Sequence, residues 1–217
     1  MIKTIIFDLD GTIVDTNELI IQSFMHTLNG ITEKTYARED IIPHMGYALT
    51  EQIKFFTGLE QIDDLVVKYR QFNLAKHDEL VREFPHVREV LAALQAGGIR
   101  MGVATNKMRM TTELGLKLCG LDPFIDVIMT VEDVAQGKPN PEMILKALEQ
   151  LGANPSETLM VGDSQYDIIA GREAGVGTVG VAWSLKGEVH LRKFEPTYMI
   201  HDMRELLDMA GIKRERA

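Results

Sequence analysis

Thr4-Ile5-Ile6-Phe7-Asp8-Leu9-Asp10-Gly11-Thr12 begins as a β-branched and aromatic strand and ends in an Asp-Gly turn, with two carboxylates where the strand stops. Two later stretches repeat this design. Arg100 to Thr105 is an apolar strand that runs into Asn106, and Thr158 to Val161 is a strand that runs into Gly162-Asp163-Ser164. Between and after them lie helical patterns at Val87–Gln95 (stopped by Gly97-Gly98), Thr111–Leu118, Pro141–Leu151, Tyr166–Ala174 and Met203–Met209. Further strands are predicted at Phe124–Thr130, Gly177–Ala182 and Tyr198–Ile200. Strands alternating with helices imply right-handed crossovers and a parallel sheet, an α/β Rossmann-like core. Ligands in such a sheet sit beyond the carboxyl ends of the strands, so the three polar clusters should open onto one crevice.

Working outward, residues 16 to 80 carry no convincing strand. Leu19, Ile20, Phe24 and Leu28 recur at helical spacing from Asn17 to about Leu28, and helical pattern returns at Ala48–Phe56 and Ile62–Leu80. The expected organisation is a core of residues 1–15 and 83–217 interrupted by a helical insertion, residues 16–82. The formal net charge of −9, with no basic stripe, argues against a nucleic-acid partner. The only basic cluster, Lys213, Arg214 and Arg216, reads as a solvated C-terminal end. No apolar run approaches the roughly 20 residues that span a bilayer, and the N-terminal stretch lacks a signal-peptide core. Cytoplasmic placement is expected. Cys119 cannot form an internal disulfide and reads as a small core residue. His26, His77, His190 and His201 show no metal-ligand spacing and are expected at the surface or its boundary. Asp15 is expected to cap the following helix or steady the hinge.

Four motifs in order resemble those of the haloacid dehalogenase superfamily, in its phosphatase branch. They are Asp8-x-Asp10-Gly11-Thr12, Thr105-Asn106, Lys138-Pro139 and Gly162-Asp163-x-x-x-Asp167. Any one of them is a common turn, helix start or N-cap; their order and their places at strand ends carry the likeness. The resemblance implies a hydrolase that forms a phosphoaspartate at Asp8, with Asp10 as general acid and base. It also implies Mg²⁺ held by the Asp8 carboxylate, the Asp10 carbonyl and Asp163, with Asp167 steadying those ligands. Lys138 should offset charge on Asp8 and the phosphoryl oxygens, while Thr105 and the Asn106 N–H bind phosphate. An acid at position 10 favours phosphate chemistry over carbon–halogen cleavage.

By the same resemblance the insertion is a cap that excludes water and selects substrate. Its loop His44-Met45-Gly46-Tyr47 either faces the crevice or is only a helix cap with a packing aromatic, and it lacks the Gly-Pro pair more usual there. Thr16-Asn17-Glu18-Leu19-Ile20, Tyr69-Arg70-Gln71-Phe72-Asn73 and Gly180 to Gly187 are similar to bacterial pyrophosphatases related to phosphoglycolate phosphatases. That likeness implies inorganic pyrophosphate as the small phosphorylated substrate, with Lys107, Arg109 and Lys186 as candidate second-phosphate contacts or merely solvated cations. The alternatives are a phosphatase for phosphoglycolate or another small phosphomonoester, and a β-phosphoglucomutase-like phosphotransferase. A binding module that has lost catalysis is disfavoured by the intact acids.

Overall fold

Alternating side chains make a four-residue strand the centre of the molecule. In the computed structural model, which describes residues 1–213, β1 (Thr4–Phe7) lies third in a six-stranded sheet of order β5-β4-β1-β6-β7-β8. The other members are β4 (Arg100–Thr105), β5 (Val127–Thr130), β6 (Thr158–Gly162), β7 (Gly177–Val181) and β8 (Tyr198–Ile200). Every pairing is parallel. Ile5 and Phe7 enter the core on one face with Leu91, Val103 and Leu159, while Ile6 packs on the other with Ala104, Ile144 and Met160. Both faces are therefore buried, which is why these strands read as continuous apolar runs. The first face is covered by α5 (Val87–Ala96), α6 (Arg109–Leu118) and α10 (Glu205–Met209), the second by α7 (Glu142–Leu151) and α8 (Gln165–Glu173).

The chain leaves this core through β2 (Val14–Asp15) and returns through β3 (Arg82–Glu83), an antiparallel ribbon pairing Val14 with Glu83 and Asp15 with Arg82. Between them come only helices: α1 (Asn17–Leu28), α2 (Arg38–Ile41), α3 (Leu49–Thr57) and α4 (Asp63–Leu80), with a 3₁₀ turn at Ile42–His44. They build their own apolar cluster around Phe24, whose ring lies 5.6 Å from that of Phe56 and 4.8 Å from that of Tyr69. Asp15, one residue before the N-cap Thr16, accepts a hydrogen bond from the Asn17 N–H at 3.1 Å and pairs with Arg82 in the ribbon, so it sits at both the helix start and the hinge.

Some expectations need correction. β5 starts at Val127 rather than Phe124, because Asp122-Pro123-Phe124 forms a 3₁₀ turn, as a proline without an N–H permits. The ribbon, α2 and α9 (Glu188–Arg192) are too short for periodicity to reveal. His77 is not at the surface: it is 1% exposed, on the side of α4 that meets α6 beside Gly115. His26 and His201 are exposed, and His190 is half-buried. Cys119 is buried in the main core. Lys213 is exposed, whereas Arg214 and Arg216 lie outside the described residues. Among the described residues no helix is long and apolar enough to cross a membrane.

Candidate active site

The carboxyl ends of β1, β4 and β6 bring the sequence clusters together. Asp8 follows β1 directly, and its N–H donates to the Val161 carbonyl of β6 at 2.8 Å, so the carboxylate is held by sheet geometry rather than by a loose loop. Asp163 follows β6, and Asp167 lies in the first turn of α8. Carboxylate oxygens of Asp8, Asp163 and Asp167 lie within 4.8 Å of one another. Gly11 makes this approach possible. Its φ of +75° disfavours any side chain, and a Cβ there would stand 2.5 Å from Asp163 Oδ2.

One buried cation answers this cluster. Lys138 Nζ lies 2.9 Å from Asp8 Oδ1 and 2.5 Å from Asp167 Oδ1, and donates to the Ala104 carbonyl at 2.7 Å. The second oxygen of Asp167 accepts from the Ser164 N–H at 3.0 Å and hydroxyl at 2.6 Å. Both of its oxygens are thus engaged by protein donors. The Ser164-x-x-Asp167 pattern of a capping box could have predicted this bond. Asp163 has no such support; among the described residues no donor reaches its carboxylate. Burial pushes the Asp8 carboxyl up to about 7 against the pull of Lys138, and burial followed by repulsion from Asp8 and Asp167 raises Asp163 well above the carboxylate range. The converging oxygens of these acids, with more negative charge than the Lys138 ammonium alone offsets, fit a hard divalent cation.

Asp10 engages a different cation. Its Oδ1 accepts from Lys107 Nζ at 2.7 Å and from the Thr16 hydroxyl at 2.7 Å. Lys107 thus joins the site, and Thr16 is a member that no spacing rule announced. Thr105 is 2% exposed, with its hydroxyl accepting from the Lys107 N–H. The Asn106 side chain accepts from the Lys138 N–H and donates to the carbonyls of Lys138 and Gly46, which joins three separate segments. Arg109 is absent from the crevice. Its guanidinium lies against Asp133 and the Ile128 carbonyl, beside the edge strand β5, so it is no second-phosphate contact. Lys186 differs: its charge acts on Asp163, but its hydrogen bonds go to the Met45 carbonyl and to Gln165 Oε1.

A cavity of about 350 Å³ lies over Asp8, Asp10, Thr105, Lys107 and Asp163, roofed by Met45, Gly46, Tyr47, Gln52, Tyr69 and Asn73. The loop 44–47 therefore faces the crevice through Met45, Gly46 and Tyr47. His44 is the exception, its ring packing 4.1 Å from that of Phe55.

Comparisons with known proteins agree with this layout. The family model for haloacid dehalogenase-like hydrolases matches residues 5–181. The pyrophosphatase PpaX of Bacillus mycoides is 47% identical over 95% of this chain and 95% of its own, and that of Bacillus velezensis 45% identical over 98% of each. A solved structure from Haemophilus somnus, described as a predicted phosphoglycolate phosphatase, superposes with a TM-score of 0.82 at 25% identity, covering 96% of this chain and 97% of that one.

Proposed function

The chain belongs to the haloacid dehalogenase-like hydrolases, and on that premise we propose that it hydrolyses inorganic pyrophosphate with Mg²⁺ through a phosphoaspartate at Asp8. One observation carries the substrate: Lys107 lies 2.7 Å from the carboxylate of Asp10. Asp10 is the group placed to protonate the leaving oxygen, so a fixed ammonium beside it favours a leaving group that is itself an anion. The names of the relatives point the same way.

In this reading an Asp8 oxygen attacks phosphorus as the bond to the leaving oxygen breaks. Asp10 delivers its proton to that oxygen and then takes one from the water that splits the acyl phosphate. Thr105 and the Asn106 N–H hold the phosphoryl oxygens, and Lys138 balances the charge gathered at Asp8. Asp8, Asp163 and the Asp10 carbonyl would hold Mg²⁺, which when bound neutralises phosphoryl charge and orients the group for in-line attack. The oxygen-only donor set supports Mg²⁺ over softer metals. Residues 16–82 serve as the cap and residues 1–15 and 83–217 as the catalytic core, a division supported by the ribbon β2–β3 at their junction.

A second reading rests on Gln52. It is 7% exposed, lines the cavity, and its Oε1 has no hydrogen-bond partner. A buried acceptor left open suits a substrate that carries a hydroxyl, such as an organic phosphomonoester.

Phosphate release from pyrophosphate, phosphoglycolate and sugar phosphates at equal concentration separates these readings. Pyrophosphate is expected to lead in kcat/KM, and Lys107→Met to lower that lead more than it lowers turnover of a phosphomonoester. An equal effect on both would remove Lys107 from leaving-group recognition. Chelation with EDTA should abolish release and added Mg²⁺ should restore it; activity that survives exhaustive chelation would rule out the metal. Asp10→Asn should reduce kcat by roughly 10²–10⁴-fold, the usual range for a lost general acid–base.

A further inference from the structure

Two core side chains reach across to consecutive carbonyls of the loop over the cavity. Lys186 Nζ donates to the Met45 carbonyl at 2.6 Å, and Asn106 Nδ2 to the Gly46 carbonyl at 3.0 Å. The donors come from opposite halves of the sheet's carboxyl edge, Asn106 after β4 and Lys186 after β7. We propose that they form a two-point latch that seats the loop Met45-Gly46-Tyr47 on the core, which makes Lys186 a positioning residue for the reaction.

The surroundings of both contacts are built for this seat. Lys186 is held on the core side by Gln165 Oε1 at 3.0 Å and lies over the Tyr166 ring, 5.0 Å from its centroid. The loop's own Tyr47 packs against that same ring at 5.0 Å. Gly46 allows the backbone to come this close. Its φ is +93°, and a Cβ would meet Ser164 Cβ and Oγ at 3.1 Å and Tyr166 at 3.2 Å. Asn106 anchors the second point from a side chain that also fixes Lys138 through two hydrogen bonds. Loop seating is therefore tied to the segment that carries the buried ammonium, and a docked loop closes the cavity over Asp8 and Asp10. An ammonium bonded to a backbone carbonyl is a charge-assisted contact, so removing it should be felt well beyond an ordinary surface change.

The experiment combines amide exchange with kinetics on the full chain in Mg²⁺. Lys186→Met keeps the stem and removes the donor; Lys186→Arg returns a donor; Gly46→Ala blocks the seat while leaving Lys186 and its charge in place. If the latch holds, Lys186→Met speeds amide exchange in residues 44–50 by about tenfold or more and lowers kcat/KM by about 10–100-fold, the scale of one charge-assisted hydrogen bond. Lys186→Arg recovers most of both. The double variant Lys186→Met/Gly46→Ala is then no worse than the poorer single variant, because both undo one docked state.

Unchanged exchange with only a shifted Mg²⁺ requirement would overturn the latch and leave Lys186 acting through its charge near Asp163. Additive losses in the double variant would overturn it as well. The kinetic arm rests on the pyrophosphatase reading, whereas exchange needs no substrate. Absent pyrophosphate turnover in the wild type together with faster exchange in Lys186→Met would therefore fault the substrate and not the latch.

Discussion

Asp8→Asn should lose about 10⁴-fold or more in phosphate release, the scale on which removal of a covalent nucleophile acts, and the variant should be more stable than the parent. The first effect follows from chemistry: an amide oxygen cannot form the acyl phosphate. The second follows from the site's electrostatics. Folding raises the Asp8 carboxyl from the ordinary carboxylate range to about 7, chiefly by burial. Between about pH 4 and pH 7 the folded, metal-free chain therefore keeps a proton that the unfolded chain has released, and stability falls as pH rises through that window. Asparagine mimics the protonated form and flattens the slope. In EDTA at pH 8 the variant's Tm should exceed the parent's by about 4 °C or more, given about 2–4 °C per kcal/mol for a chain of this size. Saturating Mg²⁺ should narrow the gap, since a bound cation stabilises the charged form. Near-parental turnover would refute the nucleophile, and a lower Tm at pH 8 would refute the account of charge crowding.

That trade of stability for function explains which parts of the molecule were legible in the sequence. The sheet was readable because Ile5, Ile6 and Phe7 are buried on both faces, and unbroken apolar runs between turn residues have few other interpretations. The acids were readable because Asp8, Asp10 and Asp163 stand at strand ends, where they serve no packing purpose. The partners of those acids were harder. Thr16 reaches Asp10 because the chain turns back through Gly11, and Lys107 is told apart from the other candidate cations only once its ammonium is seen to face Asp10. Arg109, two residues from Lys107, faces Asp133 instead. A helix start turns neighbouring side chains to different sides, so nearness in sequence to a motif was no guide to nearness in space. His77 shows the same limit, since a lone polar residue in a helix gives no sign that it meets a second helix.

Lys138→Met is the opposite experiment to Asp8→Asn. Methionine keeps the length of the stem and removes the ammonium, leaving Asp8, Asp163 and Asp167 crowded together with no buried cation among them. Breaking a buried ion pair by deleting one partner costs about 3–5 kcal/mol, because the charge left behind is desolvated and unpaired. The variant should therefore melt well below the parent in EDTA at pH 8, and turnover should fall by roughly 10³-fold or more for want of charge balance at the nucleophile. Acid should lessen the loss of stability. Below the raised carboxyl range the remaining acids take up protons, so parent and variant should converge as pH falls from 8 toward 5. Mg²⁺ should raise the variant's Tm more than the parent's, as the ion replaces part of the missing charge. The double variant Asp8→Asn/Lys138→Met completes the cycle: removing one of the crowded acids should return more stability in the Lys138→Met background than it adds to the parent, giving a coupling energy of about 0.5–3 kcal/mol between the two sites. Additive effects, with Asp8→Asn adding the same stability in both backgrounds, would mean that Lys138 fills space beside Asp8 without balancing its charge.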